Sequence, residues 1–148
     1  MRIAVGFDHA GVPLRDVVLE AVAAAGHEPV DVGEQDDYPD TATDVARAVL
    51  HGGCERGIVV CGSGAGVAVA ACKIAGIRAA LGHETYTAAQ CVQHDDCNVL
   101  ALGARVIGPM IADACVRAFL GASFTGEERH VRRVAKISKL EREGMKDE

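Results

Sequence analysis

Five short aliphatic runs, each followed by a longer segment of helical periodicity, constrain this chain more than any other feature. The runs are "RIAVGF", "EPVDVG", "RGIVVCG", "IRAALGH" and "NVLALGA". After them come "PLRDVVLEAVAAAG", "DTATDVARAVLHGG", "AGVAVAACKIAG", "ETYTAAQCVQHDD" and "GPMIADACVRAFLGA". In these segments apolar residues recur about every 3.6 positions, so they share one helical face. Pro13 and Gly26 suit the start and stop of the first helix, Asp40 or Thr41 the cap of the second, and Pro109 and Gly121 the ends of the fifth. Strand and helix alternating in this way imply an α/β fold, with a five-stranded parallel sheet, right-handed crossovers and helices on both faces.

A chain of 148 residues fits one domain, 1–148, with a core large enough to stand without disulfides. That core is aliphatic: 49% of residues are hydrophobic, yet only three Phe, two Tyr and no Trp occur. The net charge of −6 argues against nucleic acid as a partner, because phosphate-backbone binding needs clustered Lys and Arg. No apolar run approaches the ~20 residues that span a bilayer. With no basic leader ahead of the first strand, the expected location is cytoplasmic and no membrane partner is expected. Cys54, Cys61, Cys72, Cys91, Cys97 and Cys115 lie inside strand and helix patterns, so they read as free thiols, most of them small buried hydrophobes. None forms a CxxC pair, and no Cys/His quartet has zinc spacing, so no metal is expected.

The last segment, "ERHVRRVAKISKLEREG", sets Val131, Val134, Ile137 and Leu140 three apart on a highly charged helix of about 127–143. So narrow a stripe suits docking on a second copy of the chain or packing on its own sheet; both readings stand at this point.

In parallel sheets ligands gather beyond the carboxyl ends of the strands. There the sequence offers Asp8 and His9 after the first strand, Cys61 and the loop Gly62 to Gly66 after the third, and His83 and Glu84 after the fourth. His94 flanks the fifth strand before it and Arg105 after it, and all of these are expected to face one rim. The loop "CGSGAG" is not a dinucleotide fingerprint, since Val67 stands where GxGxxG needs glycine, and it follows the third strand rather than the first. A Walker loop is absent, and the GxSxG elbow fails because position 61 is Cys. What remains is a run of backbone N–H groups at a helix start, an anion cradle. Its positive potential favours the thiolate of Cys61, which makes that side chain a candidate base, with a buried core cysteine as the alternative. Tyr38 is expected to shape its loop, and His27, His51 and His83 to be surface or loop residues.

Taken together, "GFDHAG", "DYPD", "GIVVCGSGAG", "AGIRAALGHETYTA", "QHDDCNVLALGARVIG" and "ERHVRRV" resemble the ribose 5-phosphate isomerase B and LacA/LacB group of sugar-phosphate isomerases, over nearly the whole chain. The resemblance implies a Rossmann-like three-layer α/β/α sandwich with an extended C-terminal helix, no metal or organic cofactor, and a homodimer or homotetramer with shared active sites. It implies an aldose-ketose isomerase of sugar phosphates, with Cys61 as the base that moves a proton between C1 and C2 through a cis-enediolate. Gly62, Ser63, Gly64, Ala65 and Gly66 match the loop that stabilises the oxyanion, with Ser63 contributing its hydroxyl. His94 resembles the acid that opens the furanose ring. Asp8 and His9 match substrate contacts, and Arg105, Arg129 and Arg133 match arginines that hold phosphate or sugar.

Three departures from the group's pattern bear on the substrate. Asp95 stands where Asn is usual and touches substrate, and an ionised Asp only accepts hydrogen bonds. Glu127 and Glu128 stand beside the proposed phosphate arginines, and Cys72 replaces an Asn ahead of Lys73. Ribose 5-phosphate is the first expected substrate; a tetrose or hexose phosphate is the alternative. A nucleotide- or phosphosugar-binding module without turnover, and a degenerate homologue, are the remaining readings, and the joint presence of Cys61, Ser63 and His94 argues against decay.

Overall fold

In a computed structural model of the chain the described residues are 1–146; the last two positions of the domain read over 1–148 lie outside them. The aliphatic runs form strands β1 (Arg2–Asp8), β2 (Glu28–Gln35), β3 (Arg56–Cys61), β4 (Ala79–Leu81) and β5 (Val99–Gly103). The helices are α1 (Arg15–Ala24), α2 (Tyr38–His51), α3 (Ala65–Cys72), α4 (Thr85–Asp95), α5 (Pro109–Gly121) and α6 (Glu128–Glu143). Every strand pairing is parallel and the order across the sheet is β2-β1-β3-β5-β4.

Successive strand side chains alternate between the two faces. Ile3, Val5, Phe7, Ile58, Val60, Leu100 and Leu102 face α1, α4 and α5, where Val18, Val22, Val92, Val116 and Phe119 complete a large core. Ala4, Val59, Cys61, Val99 and Ala101 face α2 and α3, which bring Ala42, Val45, Ala46, Val67 and Ala71. The central strands are therefore apolar on both sides, as a sheet covered by two helical layers requires. Cys61 belongs to the α2/α3 layer, and its strand partner in β5 is Gly103.

Leu100 is wholly buried on the α1/α4/α5 side. Leu100→Ala should destabilise the fold by about 2–5 kcal/mol through lost burial and the cavity left behind. The expected readout is a lower urea midpoint with an unchanged slope. A loss below about 0.5 kcal/mol, the range of an exposed site, would show that this core layer is wrongly assigned.

Several boundaries differ from the sequence reading. The second helix begins at Tyr38 rather than Asp40 or Thr41, because Pro39 sits in its first turn, where a fixed φ and missing N–H cost nothing, and Asp37 takes the cap position. A 3-10 turn, Val12–Leu14, takes up Pro13 before α1 starts. The third helix stops at Cys72 instead of running to Gly76. The fourth strand is reduced to Ala79–Leu81, an edge strand paired only with β5, and the Arg78 N–H is taken by the Asn98 side chain at 2.8 Å.

The six cysteines are free; Cys72 alone among them is exposed, so it is not the buried hydrophobe expected of it. It ends α3 and lies over the edge strand, its thiol donating to the Ala79 carbonyl at 3.3 Å. Among the described residues no helix is long and apolar enough to cross a membrane. α6 rests on α4 and holds to the edge of the sheet by a Glu141 carboxylate that accepts the Gly76 N–H at 3.1 Å. Val131, Ile137 and Leu140 stay exposed along it, so the chain's own sheet does not use up the apolar stripe.

Candidate active site

β1 and β3 are neighbours, yet β1 leads to β2 on one side and β3 leads towards β5 and β4 on the other. The strand order reverses between them, which opens a crevice beyond their carboxyl ends. A cleft of about 320 Å³ lies there, and Asp8, His9, Tyr38, Cys61, Ser63 and Arg105 are among its walls.

Asp8 is buried at the end of β1, where its carboxylate accepts the Gly11 N–H at 2.9 Å. His9 next to it is exposed, and its Nδ1 donates to the Asp36 carbonyl at 3.0 Å. A buried acceptor and an exposed ring thus stand side by side on one turn, fixed by backbone partners and not by each other.

The glycine loop follows from close packing at the end of β3. Gly64 has φ +80, a left-handed conformation, and a Cβ there would lie 2.5 Å from a Leu81 methyl. A Cβ on Gly103 would lie 2.4 Å from the Ser63 carbonyl carbon. The loop is therefore clamped against the end of β5, and the Arg105 N–H donates to the Gly62 carbonyl at 2.9 Å. Held in this way, the Gly64 N–H points at the Cys61 sulfur, 3.1 Å away, and the Ala65 N–H at the Ser63 hydroxyl oxygen, 3.2 Å away. Cys61 is only 4% exposed, and the Gly64 N–H is the polar partner of its sulfur.

His83, read from sequence as a surface or loop residue, instead supports the same edge: its Nε2 accepts the Gly103 N–H at 2.8 Å. Burial pushes its titration below the ordinary histidine range, in keeping with a neutral ring that accepts. Tyr38 forms one wall of the cleft, where its ring lies 3.0 Å from a Cβ built on Gly66. Its place on the wall was not legible in "DYPD", because α2 brings it over the loop only once the fold is complete.

One chain does not bring all the expected residues to one rim. His94 ends α4, which runs back from the carboxyl end of β4 to the amino end of β5. It therefore lies at the opposite edge of the sheet, because the residues just before a parallel strand sit at its start. β5 alone, five residues long, separates the two edges by about 17 Å. The same edge holds the start of α6, since the Thr125 N–H donates to the Gln93 carbonyl at 3.0 Å. Asp95 is exposed beside His94. Arg129 pairs with Glu127 and Arg132 with Glu128, at 2.7 Å in the second case. Arg133 has no carboxylate partner among the described residues.

Sequence reasoning missed His130. It is buried in the first turn of α6 and its ring stacks on His94, centroids 4.0 Å apart and planes within 13°. Burial is the main cause that lowers its titration, with the positive neighbours His94, Arg129 and Arg133 adding to it and Glu127 opposing.

The site can be set beside known proteins. Ribose-5-phosphate isomerase B of Escherichia coli is 43% identical over 144 residues, 95% of this chain and 96% of that protein. D-erythrulose-4-phosphate isomerase of Pectobacterium atrosepticum is 39% identical over 131 residues, 85% of this chain and 86% of that one. The structure of ribose-5-phosphate isomerase B from Clostridium thermocellum superposes with a TM-score of 0.91 at 42% identity, covering 98% of this chain and 100% of the other. The family model described as Ribose/Galactose Isomerase matches residues 3–137. With a five-stranded parallel sheet, a glycine loop clamped under a cysteine and this match along almost its whole length, the chain belongs to the Ribose/Galactose Isomerase family.

Proposed function

We propose that this protein is an aldose-ketose isomerase of sugar phosphates, and that ribose 5-phosphate and ribulose 5-phosphate are the pair it interconverts. The observation that carries this reading is the Cys61 sulfur held 3.1 Å from the Gly64 N–H on the wall of the cleft. As a thiolate, Cys61 removes the proton from C2 of the open-chain aldose phosphate. The electron pair moves into the C1–C2 bond and leaves negative charge on the carbonyl oxygen, which gives a cis-enediolate. The proton on O2 passes to O1, and return of the carbon-bound proton from the Cys61 thiol to C1 completes the ketose. The glycine loop Gly62 to Gly66 and the Ser63 hydroxyl are the donors assigned to that developing charge, and preorganised donors of this kind act most strongly in the transition state. Asp8 and His9 hold the sugar hydroxyls, and Arg105, on the cleft wall beside Gly62, holds phosphate or sugar.

His94 protonates the ring oxygen during furanose opening, and Arg129 and Arg133 hold the phosphate. Both tasks call for a second copy of the chain, because these residues lie about 17 Å along the strands from Cys61. The exposed Val131, Ile137 and Leu140 offer such a copy a surface, and a homodimer or homotetramer with shared sites is the assembly proposed.

Relatives of similar identity carry the names of a five-carbon and a four-carbon activity, so chain length is the open choice at this site. The test is a panel of four-, five- and six-carbon aldose phosphates with the purified protein. Turnover of ribose 5-phosphate is expected, and Asp95→Asn should shift the profile further towards it, because an amide can donate where a carboxylate cannot. Stabilisation by adenosine nucleotides with no turnover of any sugar phosphate would replace the enzyme with a binding module.

A further inference from the structure

We propose that His130 is a positioning residue for His94, its buried ring serving as the flat wall that fixes the His94 imidazole for proton transfer to a sugar ring oxygen. The role rests on the reading of His94 as the ring-opening acid.

Three observations carry it. The rings are stacked, 4.0 Å between centroids and 13° from parallel, a geometry that leaves the nitrogens of His94 in the ring plane and free to meet a substrate. His94 is half-buried, whereas His130 is 3% exposed, so the inner ring is held by its surroundings and the outer one is held by the inner. No group among the described residues hydrogen-bonds Nε2 of His130, so no carboxylate stands behind that nitrogen to receive a proton. A relay through Nε2 has nowhere to lead, and a wall needs no acceptor.

Charge works in the same direction. Two stacked imidazolium rings would repel at this distance, so the pair carries one proton more readily than two. The charged groups facing His130 are His94 from α4, Glu127 from the loop before α6, and Arg129 and Arg133 from α6 itself. Burial and the three positive groups outweigh Glu127 and lower the titration of His130 below the ordinary histidine range. Stacking also ties the end of α4 to the start of α6, so the ring-opening acid and the phosphate arginines move as one unit.

The experiment compares the unaltered protein with His130→Phe and His130→Ala on ribose 5-phosphate, and follows the imidazole signals by NMR against pH. Phenylalanine keeps the flat wall and loses the titration; alanine removes the wall. Misplacing a reacting group by about 1 Å can cost about 100-fold, so kcat/KM should fall by about 10- to 100-fold in His130→Ala and be largely kept in His130→Phe. The His130 signal, assigned by its loss in His130→Phe, should titrate below the ordinary histidine range. Equal losses in the two variants would mean that the imidazole nitrogens themselves are required, and would overturn the proposal, as would full activity in His130→Ala. An NMR titration of His130 in or above the ordinary range would overturn it too, without relying on any variant's activity. Absence of turnover in the unaltered protein would overturn the isomerase reading together with this one, and is distinct from a loss confined to the variants.

Discussion

Cys61→Ala should lower kcat on every accepted sugar phosphate by about 10²- to 10⁴-fold, the usual contribution of a positioned acid or base, while the protein still folds and still binds substrate. The expectation follows from the two parts Cys61 plays in the structure. As a residue of the α2/α3 core layer it fills little space, and deleting one small buried atom costs about 1 kcal/mol, within what the surrounding Val59, Val67 and Ala101 can tolerate. As the acceptor of the Gly64 N–H it is the only sulfur among the cleft-lining residues. The two roles predict opposite results. A packing residue would show lost stability with activity kept in the folded fraction; a base shows stability kept and turnover lost. Iodoacetamide gives a second measurement, since a thiolate alkylates ahead of buried thiols such as Cys54 and Cys115, whose titration burial pushes up. Bound sugar phosphate should protect Cys61. Near-normal turnover in Cys61→Ala would leave the glycine loop as a binding feature and assign the proton transfer elsewhere.

Much of this arrangement was legible in the chain because it is local or periodic. Alternation within "RIAVGF" sets Ile3, Val5 and Phe7 on one face and Ala4 on the other, and alternation within "RGIVVC" sets Cys61 with Val59; the pairing of β1 with β3 then puts Ala4 and Cys61 on the same face. A cysteine that ends a strand and faces three alternating glycines is equally visible, and the structure gives the glycines a packing reason at Gly64 and Gly103. What was not legible depends on pairs far apart in sequence. At the start of the short β4 the Asn98 side chain takes the backbone donor of Arg78, a partner 20 residues away. The stack of His94 on His130 joins the ends of two helices that no periodicity links. His94 itself was assigned to the wrong edge because adjacency to β5 in sequence does not say which end of β5 is meant; direction in a parallel sheet does. The exposure of Cys72 follows from where α3 stops, a boundary set by the turn after it and not by composition.

The separation of His94, Arg129 and Arg133 from Cys61 leads to the second large effect: two inactive variants should restore each other. On the proposed assignment, every site of Cys61→Ala lacks the base. With Arg133 as the proposed phosphate anchor, the rate of Arg133→Ala at low substrate should fall steeply, because binding energy from a remote phosphate helps to position the reacting carbons. When the two chains are produced together and assort at random, half of the dimers are mixed. In a mixed dimer one site combines both defects, whereas the other draws Cys61 from one chain and Arg133 from the other and is intact. About a quarter of all sites should then be whole, and activity should return to about a quarter of the unaltered level, a consequence of two-fold symmetry in which each site takes one patch from each subunit. The geometry within one chain makes the result sharp. Cys61 closes β3 at the carboxyl edge, Arg133 lies on the exposed α6 beyond the amino edge, and no described segment carries one to the other. If the mixture shows only the summed activities of the two separate variants, each site is built within a single chain, and the phosphate must be held by Arg105 or another residue at the cleft instead.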